Sequence, residues 1–292
     1  MSVQELDIHL KTGATGVSRC WRVTRVDGTQ YGFTDHDCDL SFDGTTFRAG
    51  TGLSAAALTQ TTGLSVDNTE AVGALSDGAI TEDDIFAGRF DSAEVEAWLV
   101  QWAAPENRVL QFRGTIGEIT RANGAFSAEL RGLAERMNVP TGRVFQRNCQ
   151  AVLGDRKCGF DLETAGYVTE ATVSMTDGRM FTFDGLVAFE PRWFERGRLQ
   201  VLTGAAAGLS GAVKLDRVEE GVRKVELWDS LRLPIAPGDS VRLTAGCDKR
   251  METCRLKFVN LVNFQGFPDI PGDDWQAAHP TRLSSRNGGS LR

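Results

Sequence analysis

The chain has no long hydrophobic run. Nothing in its 292 residues approaches the roughly 18 consecutive apolar residues of a membrane-spanning helix. The N-terminus lacks a basic stretch leading into an apolar one, so no signal peptide is expected. Synthesis and folding in a reducing bacterial cytoplasm follow from that reading. Histidine is scarce at three residues, and no serine elbow accompanies it. That combination gives a hydrolytic triad little support. The glycine-containing loops match neither the Walker pattern nor the dinucleotide fingerprint. A broad basic surface is also missing. The net charge of −7 argues against general nucleic-acid binding. No fixed-period repeat or low-complexity core segment is present.

What the chain does have is turns. It holds 32 glycines, and Asp-Gly pairs recur at 27–28, 43–44, 77–78, 177–178 and 184–185. Between them lie short alternating segments, among them 21–26, 31–37, 94–102, 109–121 and 125–133. Such spacing indicates a mainly β chain of sandwich or barrel architecture. Asn123-Gly124 is the strongest hairpin signal. Helices are expected to be few. Thr81 can cap a helix over the acidic run that follows it, and 133–139 has room for about two turns before Pro140. Segment 149–158 reads as a helical turn or a tight loop. The expected divisions are a β-rich domain over 1–160, a second, inserted β domain over 161–245, and a segment over 246–292 that closes back on the middle of the chain. From Asp273 onward the tail is polar and rich in Gly and Ser.

Four cysteines carry the chemistry. Cys149 and Cys158 form one pair and Cys247 and Cys254 another, with 88 cysteine-free residues between the pairs. In a reducing compartment, clustered cysteines point to a metal more than to disulfides, with buried free thiols the other reading. Gaps of eight and six residues exceed the usual zinc knuckle and suit a larger iron–sulfur centre, with zinc as the alternative. Residues 141–160 and 241–260 hold nine basic and three acidic residues. Positive charge there favours thiolates. Cys20 and Cys38 read as small core residues within strands. His36, between Asp35 and Asp37, reads as part of a turn at a strand end. The apolar stretch 258–272 must bury against the domain, a cofactor or a neighbouring subunit.

The runs GCDKRMETCRLKFVNLVNFQGFPDIPG, CQAVLGDRKCGFDL and WRVTRVDGTQYGFTDHDCDLSFDGTTF together resemble a family of bacteriophage tail proteins. It is the baseplate hub, or minor tail protein, family of siphophage-like prophages and gene transfer agents, similar to the lambda-type minor tail protein L. The resemblance spans about residues 5–275. It implies a non-enzymatic, homotrimeric hub at the tail tip of a virion-like particle. The implied neighbours are the distal tail ring and the large tip or fibre-bearing protein, with a tail peptidase and the tape measure protein as further ones. It also implies a 4Fe–4S cluster on Cys149, Cys158, Cys247 and Cys254. The cysteines alone leave a second class open, an iron–sulfur redox or sensing protein.

Overall fold

The computed structural model describes residues 3–13, 16–50, 54–55, 68–74, 80–122, 125–132 and 142–270. The expected helix over 133–139, the Asn123-Gly124 turn and the tail from Asp273 lie outside them. The chain is mainly β, with two sheets. It divides into two units. The first takes the described residues up to 132 with 205–209 and 231–235. The second takes 142–204, 210–230 and the described residues from 236.

In the first unit, helix α1 (Val3–Lys11) precedes strands β1 (Val17–Thr24), β2 (Gln30–Thr34), β3 (Leu40–Phe42), β4 (Thr45–Arg48), β5 (Ser54–Ala55) and β6 (Asn68–Ala74). Helix α2 (Glu82–Phe86), β7 (Glu94–Gln101), β8 (Arg108–Ala122) and β9 (Ala125–Gly132) follow. The sheet order is β3-β4-β2-β1-β7-β8-β9-β6-β5. Every neighbouring pair is antiparallel except β2 with β4. Ala122 pairs with Ala125, so β8 and β9 form the expected hairpin.

Around β1 and β7 both faces of this sheet carry buried side chains, which alternation explains. On β1 and β7, Trp21 lies opposite Ala97 and Cys20 opposite Trp98. Successive side chains point to opposite faces. Trp21, Val23, Val95 and Ala97 therefore join Ile85 of α2 and Phe90 in one core. Cys20, Trp98 and Val100 join Leu40, Phe42 and Phe47 in another. Thr81 caps α2 as expected, its hydroxyl accepting from the Asp84 N–H. Asp35, beside His36, accepts the Arg19 N–H at 2.6 Å. His36 Nδ1 accepts the Cys38 N–H at 3.0 Å. The acidic run is thus the turn that closes β2. Cys20 is a core residue, but Cys38 is not: it is exposed in that turn. Its segment bends beyond β2 instead of continuing the strand, which carries the thiol to the surface.

In the second unit come β10 (Val168–Thr172), β11 (Met175–Asp177), β12 (Met180–Asp184), β13 (Arg198–Val201), β14 (Ser210–Glu219), β15 (Val222–Leu227) and β16 (Ser240–Thr244), then helix α3 (Met251–Leu256). The order is β10-β16-β13-β14-β15-β12-β11, antiparallel throughout. Its two end strands are successive pieces of one bent segment. Between them, the Val173 N–H donates to the Asp239 carbonyl at 2.9 Å and the Ser174 N–H to the Thr182 carbonyl at 2.8 Å. The two ends of the ladder thus meet at the bend between β10 and β11 and curl the sheet towards a barrel. The β14–β15 turn holds Glu220 at φ 51° and Gly221 at φ 82°, both left-handed, as tight two-residue hairpins prefer.

The barrel interior is apolar apart from one pair. Phe181, Phe183, Leu199, Val213, Leu227 and Leu243 are fully buried, and so are Asp216 and Arg223. Arg223 Nε donates to Asp216 Oδ1 at 2.8 Å. The rest of its guanidinium donates to the carbonyls of Leu186, Phe189 and Glu190. Asp216 Oδ2 accepts the Phe194 N–H at 2.8 Å. The pair thereby fastens the 186–194 connection to the barrel.

Candidate metal centre

Two irregular segments of the second unit meet beside the barrel, residues 142–166 and 245–270. Segment 149–158 has no helix; it is a set of turns. Asp155 organises it. Its carboxylate accepts the N–H groups of Val152 at 3.0 Å, Lys157 at 2.9 Å and Cys158 at 2.6 Å. Those bonds, the one from Cys158 first, hold the Asp155 carboxyl below the usual range. A carboxyl lowered by folding stabilises the fold above its unfolded pKa, and that contribution disappears as pH falls through the lowered folded value. Asp155→Asn should therefore leave the acid limb of the melting curve flatter below about pH 4. An acid limb identical to that of the unaltered protein would contradict this role.

The second cysteine pair is delivered by β16. Gly246 precedes Cys247 at a point where a Cβ would stand 1.7 Å from the Glu195 carbonyl oxygen, so no larger residue fits there. Lys249 then takes a left-handed φ of 67°. This turn lets its carbonyl accept the Cys149 N–H at 2.8 Å, while its own N–H reaches the Cys247 sulfur. Its ammonium also caps the Ala151 carbonyl. Cys254 lies on α3, buried. Beyond α3 the chain returns to the first pair. Asn260 Nδ2 donates to the Cys158 carbonyl at 2.7 Å and faces its sulfur at 3.6 Å. The Gln265 N–H faces the Cys149 sulfur at 3.4 Å, and the Phe267 N–H donates to the Gln146 carbonyl at 2.9 Å.

The four sulfurs share one electrostatic neighbourhood. Burial, then Cys247, Cys149 and Cys158, push the Cys254 thiol up to about 11. Burial also raises Cys247, against the opposing pull of Lys249. Lys257 is half-buried beside them, its ammonium on the carbonyls of Trp193 at 2.6 Å and Gly246 at 2.9 Å. Burial lowers it to about 8. Phe160, Tyr167 and Phe258 pack edge-on or stacked nearby, with ring centres 4.8 to 5.5 Å apart.

Among the described residues, no three His, Cys, Asp or Glu side chains are gathered around one metal ion. A single zinc would need sulfurs about 2.3 Å from one centre. The donor chemistry nevertheless suits a thiophilic group. Four soft ligands lie within electrostatic reach of one another, three of them face N–H donors, and two lysines lie nearby. Sequence reasoning missed Asp155, although an Asp three residues before a cysteine is a recognisable turn signal. It also missed Asn260, which nothing in the spacing marks. Within this one chain the described part of the stretch, 258–270, is only partly buried. Phe258 is buried, and Phe267 packs on Phe145 at 4.9 Å. Val259 and Val262, by contrast, are 84% and 97% exposed. The bonds from Asn260, Gln265 and Phe267 to the first cysteine segment fix this stretch, and they leave those valines turned outward.

These features define a mainly β protein of two units, one an open sheet and the other a barrel-like sheet flanked by a cysteine-rich junction. Comparison with known proteins places it further. Residues 3–161 match the family described as baseplate hub protein, N-terminal attachment domain. Residues 192–274 match the phage conserved hypothetical protein BR0599 family. A solved chain from the virion of a native gene transfer agent particle is 50% identical, with a TM-score of 0.90. That match covers 99% of this chain and 100% of the solved one. No curated protein matches the chain. The chain belongs to the baseplate hub protein family.

Proposed function

We propose that this protein is the structural baseplate hub of a gene-transfer-agent-like tail. It joins the distal tail ring to the tip or fibre-bearing protein as a homotrimer. A tail peptidase and the tape measure protein are its further neighbours. It performs no chemistry of its own. The observation that carries this reading is the 50% identity, over 99% of the chain, to a protein of a native gene transfer agent virion. The N-terminal attachment domain of the matching family supports a joining role. Among the described residues no helix is long and apolar enough to cross a membrane.

We further propose that Cys149, Cys158, Cys247 and Cys254 hold a 4Fe–4S cluster. Four thiols in one electrostatic neighbourhood, N–H groups facing the sulfurs and nearby lysines support a thiophilic group, and gaps of eight and six residues between paired cysteines suit a cluster better than zinc. When bound, the group would cross-link segments about 100 residues apart. This chain's residues orient and shield the sulfurs. The benefit is stability, because closing so long a loop disfavours the open chain.

Deleting the gene should give particles whose tails end without a baseplate. The purified chain should scatter light as about three times its 31.8 kDa mass. Complete baseplates on particles lacking this polypeptide would contradict the hub role.

A further inference from the structure

The outer face of the barrel carries a groove that the proposed role does not use. Its floor is four adjacent strands, β10, β16, β13 and β14. Arg198 lies across from Thr244 and Ala212, and Gln200 across from Arg242 and Ser210. The alternate residues Leu199, Val201 and Leu243 are buried inside, so these side chains face out together. Residues 152–163 stand over the floor as a wall. The groove, open on one side, offers about 550 Å³, within the range of ligand sites. Of the four cysteines only Cys247 lines it, at one end.

The groove combines positive charge with apolar surface. Arg196, Arg198, Arg242 and Lys249 line it against one acid, Glu163, and Leu153, Leu162 and Val168 supply apolar walls. That balance is opposite to the −7 of the whole chain. Arg242 already takes a carboxylate, forming an ion pair with Glu163 from the overhanging wall. The Glu163 side chain is 70% exposed, so the pair is open to exchange. Arg198 is held by Ser210 Oγ at 2.8 Å. Among the described residues Arg196 donates no side-chain hydrogen bond, and its left-handed φ of 62° presents it at the rim.

We propose that this groove binds an acidic, partly apolar peptide segment of another protein. Its carboxylates pair with Arg196, Arg198 and Arg242, and an apolar side chain lies against Leu162 and Val168. Glu163 occupies Arg242 as an internal stand-in until the peptide arrives. A peptide suits the site better than a nucleic acid. Phosphates gain nothing from the leucine walls, whereas a peptide can set an apolar side chain against them.

The test uses the purified full chain and the fluorescein-labelled peptide Gly-Glu-Leu-Glu-Leu-Glu-Gly, followed by anisotropy. Saturable, salt-sensitive binding is expected. The double variant Arg196→Glu, Arg198→Glu should weaken it by about tenfold or more. Glu163→Gln should tighten it by up to about fivefold, because it frees Arg242 from a surface pair. Unchanged melting curves confirm that both variants are folded. No saturable binding, equal binding by the charge-reversed variant, or tighter binding of a labelled oligothymidylate would overturn the proposal. A groove that only packs internally would not gain affinity on Glu163→Gln.

Discussion

Cys254→Ser, purified without air, is expected to lose most of its iron and sulfide and the broad visible absorption that accompanies them. Cys254 is the buried member of the set and feels the other three sulfurs. Serine removes a thiolate for which a hydroxyl cannot substitute, since soft ligands select such centres. Structural metal sites supply about 10–16 kcal/mol of apparent folding energy where measured for zinc peptides. Losing one ligand should then cost at least about 3 kcal/mol of that magnitude. Denaturant titration would show the loss as a lower midpoint. Cys38→Ser is the matched control. Cys38 is exposed in the β2 turn of the other unit, so iron content and midpoint should stay unchanged. An iron content equal to the unaltered protein in Cys254→Ser would remove that residue from the site.

Arg223→Ala should destabilise the second unit by about 3–5 kcal/mol. The substitution leaves Asp216 buried without its counter-charge, and three carbonyls lose their donor. On heating, the midpoint should fall by on the order of 10 °C. Replacing both partners, Arg223→Met with Asp216→Leu, should recover part of the loss, because an apolar pair avoids the stranded charge. Recovery should be incomplete, since the Phe194 N–H and the Leu186, Phe189 and Glu190 carbonyls remain unpaired. A single variant as stable as the original would show that the 186–194 connection is held by other contacts. The effect is structural: both side chains are fully buried.

Much of this fold is written in local patterns. The alternation of EVEAWLVQ is the buried face of β7, and VRKVEL is β15 with every second residue inside. Thr81 before three acids is a cap that any helix of that length would use. The same alternation places Arg223 on an inward position beside Val225 and Leu227. A charged residue at such a position signals a buried partner, but not which one, since Asp216 lies on the neighbouring strand. Helix α1 was hidden for a different reason. It is nine residues long; Val3, Leu6 and Leu10 share one face, Ile8 lies on the other, and only Leu6 is buried. Nor does any local signal announce the parallel pairing of β2 with β4 or the meeting of the second sheet's two ends at Val173 and Ser174. Both depend on contacts far apart in sequence.

At the cysteines, residue type and spacing marked the four side chains, but not what holds them. The Asp155 turn, the Asn260 amide and the left-handed Lys249 are properties of the folded junction. Within one chain, Val259 and Val262 remain turned outward. An apolar segment is not buried along its whole length when backbone bonds to a neighbouring segment fix its orientation.

The most direct measurement is the metal and sulfide content of the full chain purified under anaerobic conditions, read together with its visible spectrum. About four irons and four sulfides per chain, with broad absorption near ~400 nm, are expected for a cluster on the four cysteines. About one zinc with no iron would contradict the iron–sulfur assignment while keeping a thiolate cross-link. A chain free of both metals would contradict a metal-held junction altogether.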